Sequence, residues 1–464
     1  MISKEMESRI DRFISENRQN IVKDIATLVN IKSVSTKSDD PNAPFGEGCH
    51  KVLDKAFELC EGMGFATKNY DYYAGSAVYG NAEKEIAMLG HLDVVPEGEG
   101  WSHDPYDMIE KDGYIYGRGV SDDKGPTVLG LYALKALKEF DIKPNYTFRL
   151  VLGCSEETGM GDLPHYLAAE KMPVFAFTPD AGFPVCIGEK GQLGFAIELP
   201  VDGKVIENVF GGTVGNAVCG KATAILKGVS EADLGDYDKA VYSVEAVEGG
   251  ISLTAAGKTA HAASPDGSVN ATKLLCALIE KLPALSEMEK KAMASVAEIL
   301  KDCHGAGIGV EVEDEVSGKL THINGVDSME NGKLRLRMDI RYPVTLNGDE
   351  LIERIEKHIH ALGGEVVGMH NTHPCYKPAD KTLLVAYDYV TGEKGVPYTI
   401  GGGTYAKHFE NAVAFGPGFA DMPNPCGEGR GEEHMPDECN SVDYMMKALK
   451  IYIISLIGLN ELSL

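Results

Sequence analysis

Basic residues are scarce in this chain, as are paired cysteines and long apolar runs, and each shortage excludes something. There are 44 Lys+Arg against 70 Asp+Glu, a formal net charge of −26. A surface that acidic repels phosphate backbones and anionic lipid, so no nucleic-acid or membrane partner is expected. The longest apolar stretch, Ile451 to Leu459, is broken by Ser455. It falls far short of the roughly 20 residues a spanning helix needs. The opening residues Met1-Ile2-Ser3-Lys4-Glu5 lead into an acid-bearing segment with no apolar leader core. The ten cysteines are scattered with no Cys-x-x-Cys pair, which suits reduced thiols in a cytoplasmic protein. The 53 glycines follow no period, and 44% hydrophobic residues exclude wholesale disorder.

What is present is a grammar of short apolar strand, polar turn and helix. Residues 5–30 carry Ile10, Phe13, Ile14, Ile21, Ile25 and Leu28 at helical spacing. A second helix is expected over about Gly48–Met63, ahead of a strand Phe65–Tyr70. Strands Ile86–Leu89, Tyr146–Leu152 and Val174–Phe177 run into Gly90-His91-Leu92-Asp93, Gly153-Cys154-Ser155-Glu156-Glu157 and Thr178-Pro179-Asp180. Helix Lys124–Phe140 lies between the first two. Alternating strands and helices predict a mostly parallel sheet covered on both faces, with ligands gathering at the strands' carboxyl ends. From Gly188 the texture changes to alternating segments of antiparallel type, Gln192–Val201, Ala240–Val247, Gly250–Ala256, Val310–Val316 and Lys333–Ile340. Helices are expected near Val269–Leu282 and Ser286–Leu300. Strand–helix texture resumes near Asp380, with Lys381–Thr391, Tyr398–Ile400 and a last helix Ser441–Leu456. The fold class is therefore α/β, with residues 1–187 and 377–464 forming a catalytic domain and residues 188–376 an inserted α+β domain.

The polar residues concentrate where strands end. His91 and Asp93, two apart, share a face, and a metal-binding imidazole needs an oxygen partner on its other nitrogen. Alone the pair reads equally as a capped turn. Asp122 and Asp123, inside Gly117–Pro126, are either helix N-cap acids or bridging carboxylates. The Glu156–Glu157 pair offers one acid for a metal and one as general base, where a solvated loop is the plain alternative. Taken together, His91, Asp122, Glu157, Asp180 and His434 supply imidazole and carboxylate without thiolate, a set suited to zinc, manganese or cobalt. Two such ions side by side serve hydrolysis.

These ordered blocks, Gly90–Pro96, Gly117–Pro126, Ser155–Glu157, Pro179–Ala181 and Glu433-His434, resemble the co-catalytic dinuclear-zinc metallopeptidases. That family includes PepV-like bacterial dipeptidases, carnosinases, carboxypeptidase G2-like enzymes and succinyl-diaminopimelate desuccinylases. The resemblance implies a zinc-peptidase catalytic domain with an inserted lid. It implies His91 and Asp180 on one metal, Glu157 and His434 on the other, and Asp122 bridging them. Glu156 then matches the general base, Asp93 the acid behind His91, and Asp122–Asp123 a cis peptide bond.

The large insert is similar to the PepV type, which implies a monomer whose lid completes the site. The matching lid residues are Asn216, His261 for the oxyanion, and Arg341 for the substrate's carboxylate. The loop Gly401-Gly402-Gly403-Thr404 can offer backbone N–H groups as a nest ahead of a helix, and the family uses that loop near the same carboxylate. Gly402, Gly403 and Thr404 thus join the expected binding set. The expected function is a metal-dependent dipeptidase acting on short peptides with free termini, by metal-bridged hydroxide attack with Glu156 as base. The alternative is an N-acyl amino acid deacylase of the desuccinylase or deacetylase type.

Overall fold

A computed structural model describes residues 2–377 and 381–464. The expected resumption near Asp380 falls on residues outside that set. The chain forms two compact units. One takes the chain up to Ile187 with Lys377–Tyr398 and Gly403–Leu464, and the other takes Gly188–Tyr376 with Thr399–Gly402.

In the first unit, six neighbouring strands run in the order Ala66–Tyr70, Ala74–Tyr79, Thr147–Gly153, Glu85–His91, Phe175–Thr178 and Ala412–Ala414. The last four pair in parallel, and Ala74–Tyr79 is antiparallel to both its neighbours. Glu85–His91 shows why a parallel strand reads as a continuous apolar run. Its Ile86 and Met88 enter one core, and Ala87 and Leu89 enter another with Tyr166, Ala176 and Tyr405. The larger core is supplied by helices Lys4–Val29, Lys124–Glu139 and Val442–Glu461. The first of these starts where the Ser3 hydroxyl accepts the Met6 amide at 3.1 Å. It buries the apolar stripe expected of it, Ile10 to Leu28. Each isoleucine so buried is worth about 1.5–3 kcal/mol.

Register places the polar strand ends together. His91 pairs with Gly153 and Met88 with Phe177, so the segments after His91, Gly153 and Thr178 leave the sheet along one carboxyl edge. Two glycines allow the close approach. A Cβ on Gly90 would lie 2.1 Å from Thr127 Oγ1 of the helix, and one on Gly153 would lie 1.9 Å from the Tyr405 hydroxyl.

The second unit is an eight-stranded antiparallel sheet. Its order is Tyr242–Val247, Gly250–Ala256, Lys221–Lys227, Ile206–Gly211, Thr321–Glu330, Lys333–Tyr342, Gly191–Pro200 and Glu365–Thr372. Helices Ala271–Ile279, Glu287–Ile299 and Gly348–Ala361 complete its core. The expected strand Val310–Val316 shrinks to Glu313–Asp314, paired with Gly318–Lys319. Gly305 and Gly309, at φ 98° and 78°, turn the chain just before it. Among the described residues no helix is long and apolar enough to cross a membrane.

Candidate metal centre

Within the first unit, Asp122 stands between two histidines drawn from opposite ends of the sequence. Its Oδ1 lies 2.9 Å from His91 Nε2 and its Oδ2 lies 2.8 Å from His434 Nε2. Asp180 Oδ2 approaches His91 Nε2 at 3.9 Å, and Glu157 Oε1 approaches His434 Nε2 at 3.3 Å. Two ligand groups result, His91–Asp122–Asp180 and Asp122–Glu157–His434, each with donor atoms within 4.8 Å of one another. Asp122 belongs to both. The Asp122–Asp123 bond is cis, as are Phe183–Pro184 and Gly416–Pro417.

The second nitrogen of His91 orients the ring. Nδ1 lies 2.9 Å from the backbone carbonyl of Asp93, an acceptor only, so Nδ1 carries a proton and Nε2 is the nitrogen that faces Asp122 and Asp180. The expected contact with the Asp93 carboxylate is longer, 3.4 Å. That carboxylate instead accepts the amides of Glu156 at 3.1 Å and Glu157 at 3.2 Å. Asp93 therefore positions both glutamates as well as the histidine.

Asp123 holds the N-cap position, but its carboxylate does not cap the helix. The helix Lys124–Glu139 has no side-chain cap bond, and Asp123 Oδ2 accepts the His91 amide and the Thr127 hydroxyl, each at 3.0 Å. Two further acids escaped the sequence reading. Glu438 Oε1 accepts the amides of Gly119 at 3.0 Å, Ser121 at 2.9 Å and Asp122 at 3.3 Å, while Oε2 meets Arg118 Nη1 at 2.6 Å. Asp162 Oδ2 accepts the amides of Cys154 at 2.7 Å and Ser155 at 3.1 Å and the Tyr405 hydroxyl. Arg118 also reaches the carbonyl of His434 at 3.3 Å, steadying a residue whose backbone is left-handed at φ 66°.

The electrostatics are those of a site short of positive charge. Burial raises the carboxyls of Asp180, Glu156 and Glu157, and the neighbouring acids raise them further. The Asp162 carboxyl is pushed up to about 6, chiefly by burial. Burial alone would lower His91, but hydrogen bonds to Asp122 and Asp93 hold it well above its usual value. His434 rises to about 11 through its bonds to Asp122 and Glu157. Asp122 goes the other way: burial would raise it, and the two imidazoles hold it low. Oε1 of Glu156 is buried without a hydrogen bond, and Oε1 of Glu157 has only the His434 ring beside it, at 3.3 Å. Buried carboxylate oxygens crowded around two imidazoles, with only ring protons to offset their charge, are a donor set that divalent cations satisfy, so the residues present fit two metals.

The second unit gathers its own candidates. His261 pairs with Ala217 across a β-bridge, and Ala262 N donates to Asn216 O at 2.9 Å. Arg341 pairs in register with Thr321, whose hydroxyl donates to Ala262 O at 2.8 Å. Arg341 is buried, with Nε at 2.7 Å and Nη2 at 2.9 Å from the two oxygens of Asp339, and Nη1 at 2.9 Å from Gly401 O. The glycine loop differs from expectation. None of Gly401, Gly402 and Gly403 has a positive φ, so no αR–αL nest forms. The helix that follows is a four-residue 3₁₀ turn, Tyr405–His408, whose Ala406 amide is capped by the Thr404 hydroxyl at 3.2 Å. Thr404 is buried there.

Comparison with known proteins sets this geometry in context. Residues 87–456 match the description of peptidase family M20/M25/M40. The chain is 32% identical over 459 residues to the putative dipeptidase YtjP of Bacillus subtilis (strain 168), covering 95% of this chain and 97% of that one. It is 30% identical over 469 residues to a Beta-Ala-Xaa dipeptidase of Lactobacillus delbrueckii subsp. lactis, covering 96% and 97%. The fold is similar to that of human carnosine dipeptidase 1, with a TM-score of 0.61 at 15% identity over 98% of this chain and 99% of the other. His91, Asp122 and His434, which meet in this geometry, thus fall inside a match that spans most of the sequence, and the chain belongs to peptidase family M20/M25/M40.

Proposed function

We propose that the protein is a metal-dependent dipeptidase cleaving short peptides that have a free N-terminus and a free C-terminal carboxylate. One observation carries the reading: two ligand groups share Asp122 while Glu156, beside them in sequence and field, keeps a buried oxygen unpaired. His91 and Asp180 would hold one ion, Glu157 and His434 the other, and Asp122 both. Zinc suits this set best, with manganese or cobalt compatible. When bound, the two ions supply Lewis acidity toward the scissile carbonyl and lower the pKa of water.

The chain's own residues do the rest. Glu156 takes the proton of the attacking water and returns it to the leaving amine. Its backbone is held by Asp93 Oδ1, which sets where the carboxyl stands. Ala263 N donates to His261 Nδ1 at 3.2 Å, so a neutral ring carries its proton on Nε2, the tautomer that donates to an oxyanion. Arg341 has three of its five N–H donors engaged by Asp339 and Gly401. One N–H on each terminal nitrogen remains for a substrate carboxylate, with Asn216 as a second donor. The Gly402–Thr404 loop contributes backbone to the same end of the substrate. Ten cysteines, none of them in a disulfide, support a cytoplasmic protein, and the large insert supports a monomer.

The test is hydrolysis of a simple dipeptide and of its N-acetylated twin by protein loaded with zinc or manganese. Cleavage of the free-amine form alone is expected. Preference for the acetylated twin would instead make the protein a deacylase. Cleavage of neither, with both metals bound, overturns the catalytic reading.

A further inference from the structure

We infer that the inserted unit carries a third metal site, built from Asp266, Cys303 and His304 and selective for zinc-like ions. It shares no residue with the centre described above. Its donor atoms, a carboxylate oxygen, a thiol sulfur and an imidazole nitrogen, lie within 4.8 Å of one another.

Each donor sits on a fixed piece of backbone. Asp266 occupies the second position of a tight turn closed by Ser268 N to Pro265 O at 3.1 Å, with Gly267 at φ 76° in the third. That is the geometry of a type II turn, which asks for glycine there. Cys303 and His304 open a loop tied down by Asp302. One oxygen of Asp302 accepts the amides of His304 at 2.6 Å and Ala306 at 3.2 Å, and the other accepts that of Gly307 at 2.8 Å. The carbonyl of Cys303 accepts the His322 amide at 2.9 Å.

The outer contacts of His304 suit a metal ligand. Nδ1 lies 3.0 Å from the carbonyl of Leu320, which only accepts, so Nδ1 carries a proton and Nε2 is the nitrogen available to an ion. Nε2 lies 2.9 Å from Asp266 Oδ1. A proton on Nε2 satisfies that contact, and a metal ion binding there would displace it to solvent. A backbone carbonyl on the far nitrogen is also the usual second contact of a metal-bound histidine. Cys303 Sγ lies 3.9 Å from the same Asp266 oxygen. Ligands of tetrahedral zinc stand about 3.3–3.6 Å apart for bonds of about 2.0–2.3 Å, and the two observed separations straddle that spacing. Asp266 is largely exposed, so its side chain adjusts without disturbing the core. Cys303 also lines a cleft of about 360 Å³ with Pro265, Lys273 and Asn324, which lets water reach the fourth position. Thiolate, imidazole and carboxylate together select zinc or cobalt over magnesium or calcium. On binding, the Cys303 thiol gives up its proton to solvent, the sulfur bonds to the ion, and no electron is transferred.

Cobalt reads this site apart from the other, because the ligands His91, Asp122, Glu157, Asp180 and His434 include no sulfur. Metal-free protein titrated with Co²⁺ is expected to develop a near-ultraviolet thiolate-to-cobalt band that saturates at one equivalent of the total bound. Cys303→Ser should abolish the band and lower the zinc retained after gel filtration by one equivalent, with an unchanged circular dichroism spectrum. His304→Ala should weaken the band without touching any thiol. Absence of the band in the parent protein, or its survival in Cys303→Ser, overturns the site. Failure of the dipeptidase reading would leave the band and its dependence on Cys303 unchanged.

Discussion

In the first unit, Asp93, Asp162 and Glu438 are spent on backbone amides, and through them the segments bearing Asp122, Glu156 and Glu157 are locked before any ligand arrives. In the second unit the polar candidates stand differently. Asn216 and His261 are exposed, and only Arg341 is buried and clamped by a carboxylate. One region is therefore organised by the protein alone, at the cost of burying acids, while the other carries two of its three candidates at the surface. Preorganised donors are worth more to a transition state than donors that must be ordered on binding. The contrast also sets how each region should fail when altered.

The sharpest break is expected at the base. Glu156→Gln should lower kcat by about 10²–10⁴-fold while the protein still binds both catalytic metals, read by turnover and metal content on the same sample. A near-normal rate in that variant would remove Glu156 from the chemistry. Next comes the scaffold beneath it. Glu438→Ala leaves Arg118 buried without its partner and strips an acceptor from three amides. Urea denaturation should show a loss of about 3–5 kcal/mol. An unchanged midpoint would mean the loop bearing Asp122 is held by something else.

The second unit has a buried acid of its own for comparison. Asp327 accepts bonds from Thr272 and, at 3.0 Å, from Asn324, and burial pushes its pKa up to about 6. An acid whose folded pKa exceeds its unfolded value of about 3.9 holds its proton more tightly when folded. Its stabilising share is complete below about pH 4 and is lost as the pH rises through 6. A gap of about 2 units corresponds to about 3 kcal/mol. Asp327→Asn should therefore gain about that much on the parent between pH 4 and 7, in urea melts run at successive pH values. A difference that stays flat with pH would show that Asp327 does not titrate in this range. The smallest effect is expected in the second unit's candidate substrate contacts. Arg341→Met should raise KM for a dipeptide by about 10–100-fold, as loss of a charge-assisted bond of about 1.5–3 kcal/mol implies, with kcat less affected.

Of the candidate metal ligands, His91, Glu157 and Asp180 were legible because each ends or follows a strand, where a turn marks both the element and the face. Asp122, in the turn before a helix, and His434, in a loop, were legible only as members of the whole set. The acids that hold them were not. Glu438 lies 316 residues from Asp122, and a carboxylate that accepts backbone amides leaves no periodic trace in sequence. Asp162, only eight residues from Cys154, looks like any loop acid until Tyr405 closes over it. In the inserted unit, helix Gly348–Ala361 went unread, although Asn347 caps Asp349 N and Leu351, Ile355 and Ile359 are spaced by four. Strand Ile206–Gly211 went unread because an irregularity between Ile206 and Asn208 breaks its alternation, and Lys221–Lys227 because its alanines weaken the contrast between faces. The glycine-rich loop misled in another way, since composition permits a nest but the backbone takes none.

The Asp122–His434 contact links residues 312 apart, and this has a consequence for biosynthesis. His91, Asp122, Glu157 and Asp180 leave the ribosome within the first two-fifths of the chain, yet the second ligand group cannot close until residue 434 has emerged. On the proposed chemistry, a half-made molecule is inert toward the peptides around it. Hydrolytic power is thereby reserved for a chain made at least as far as His434.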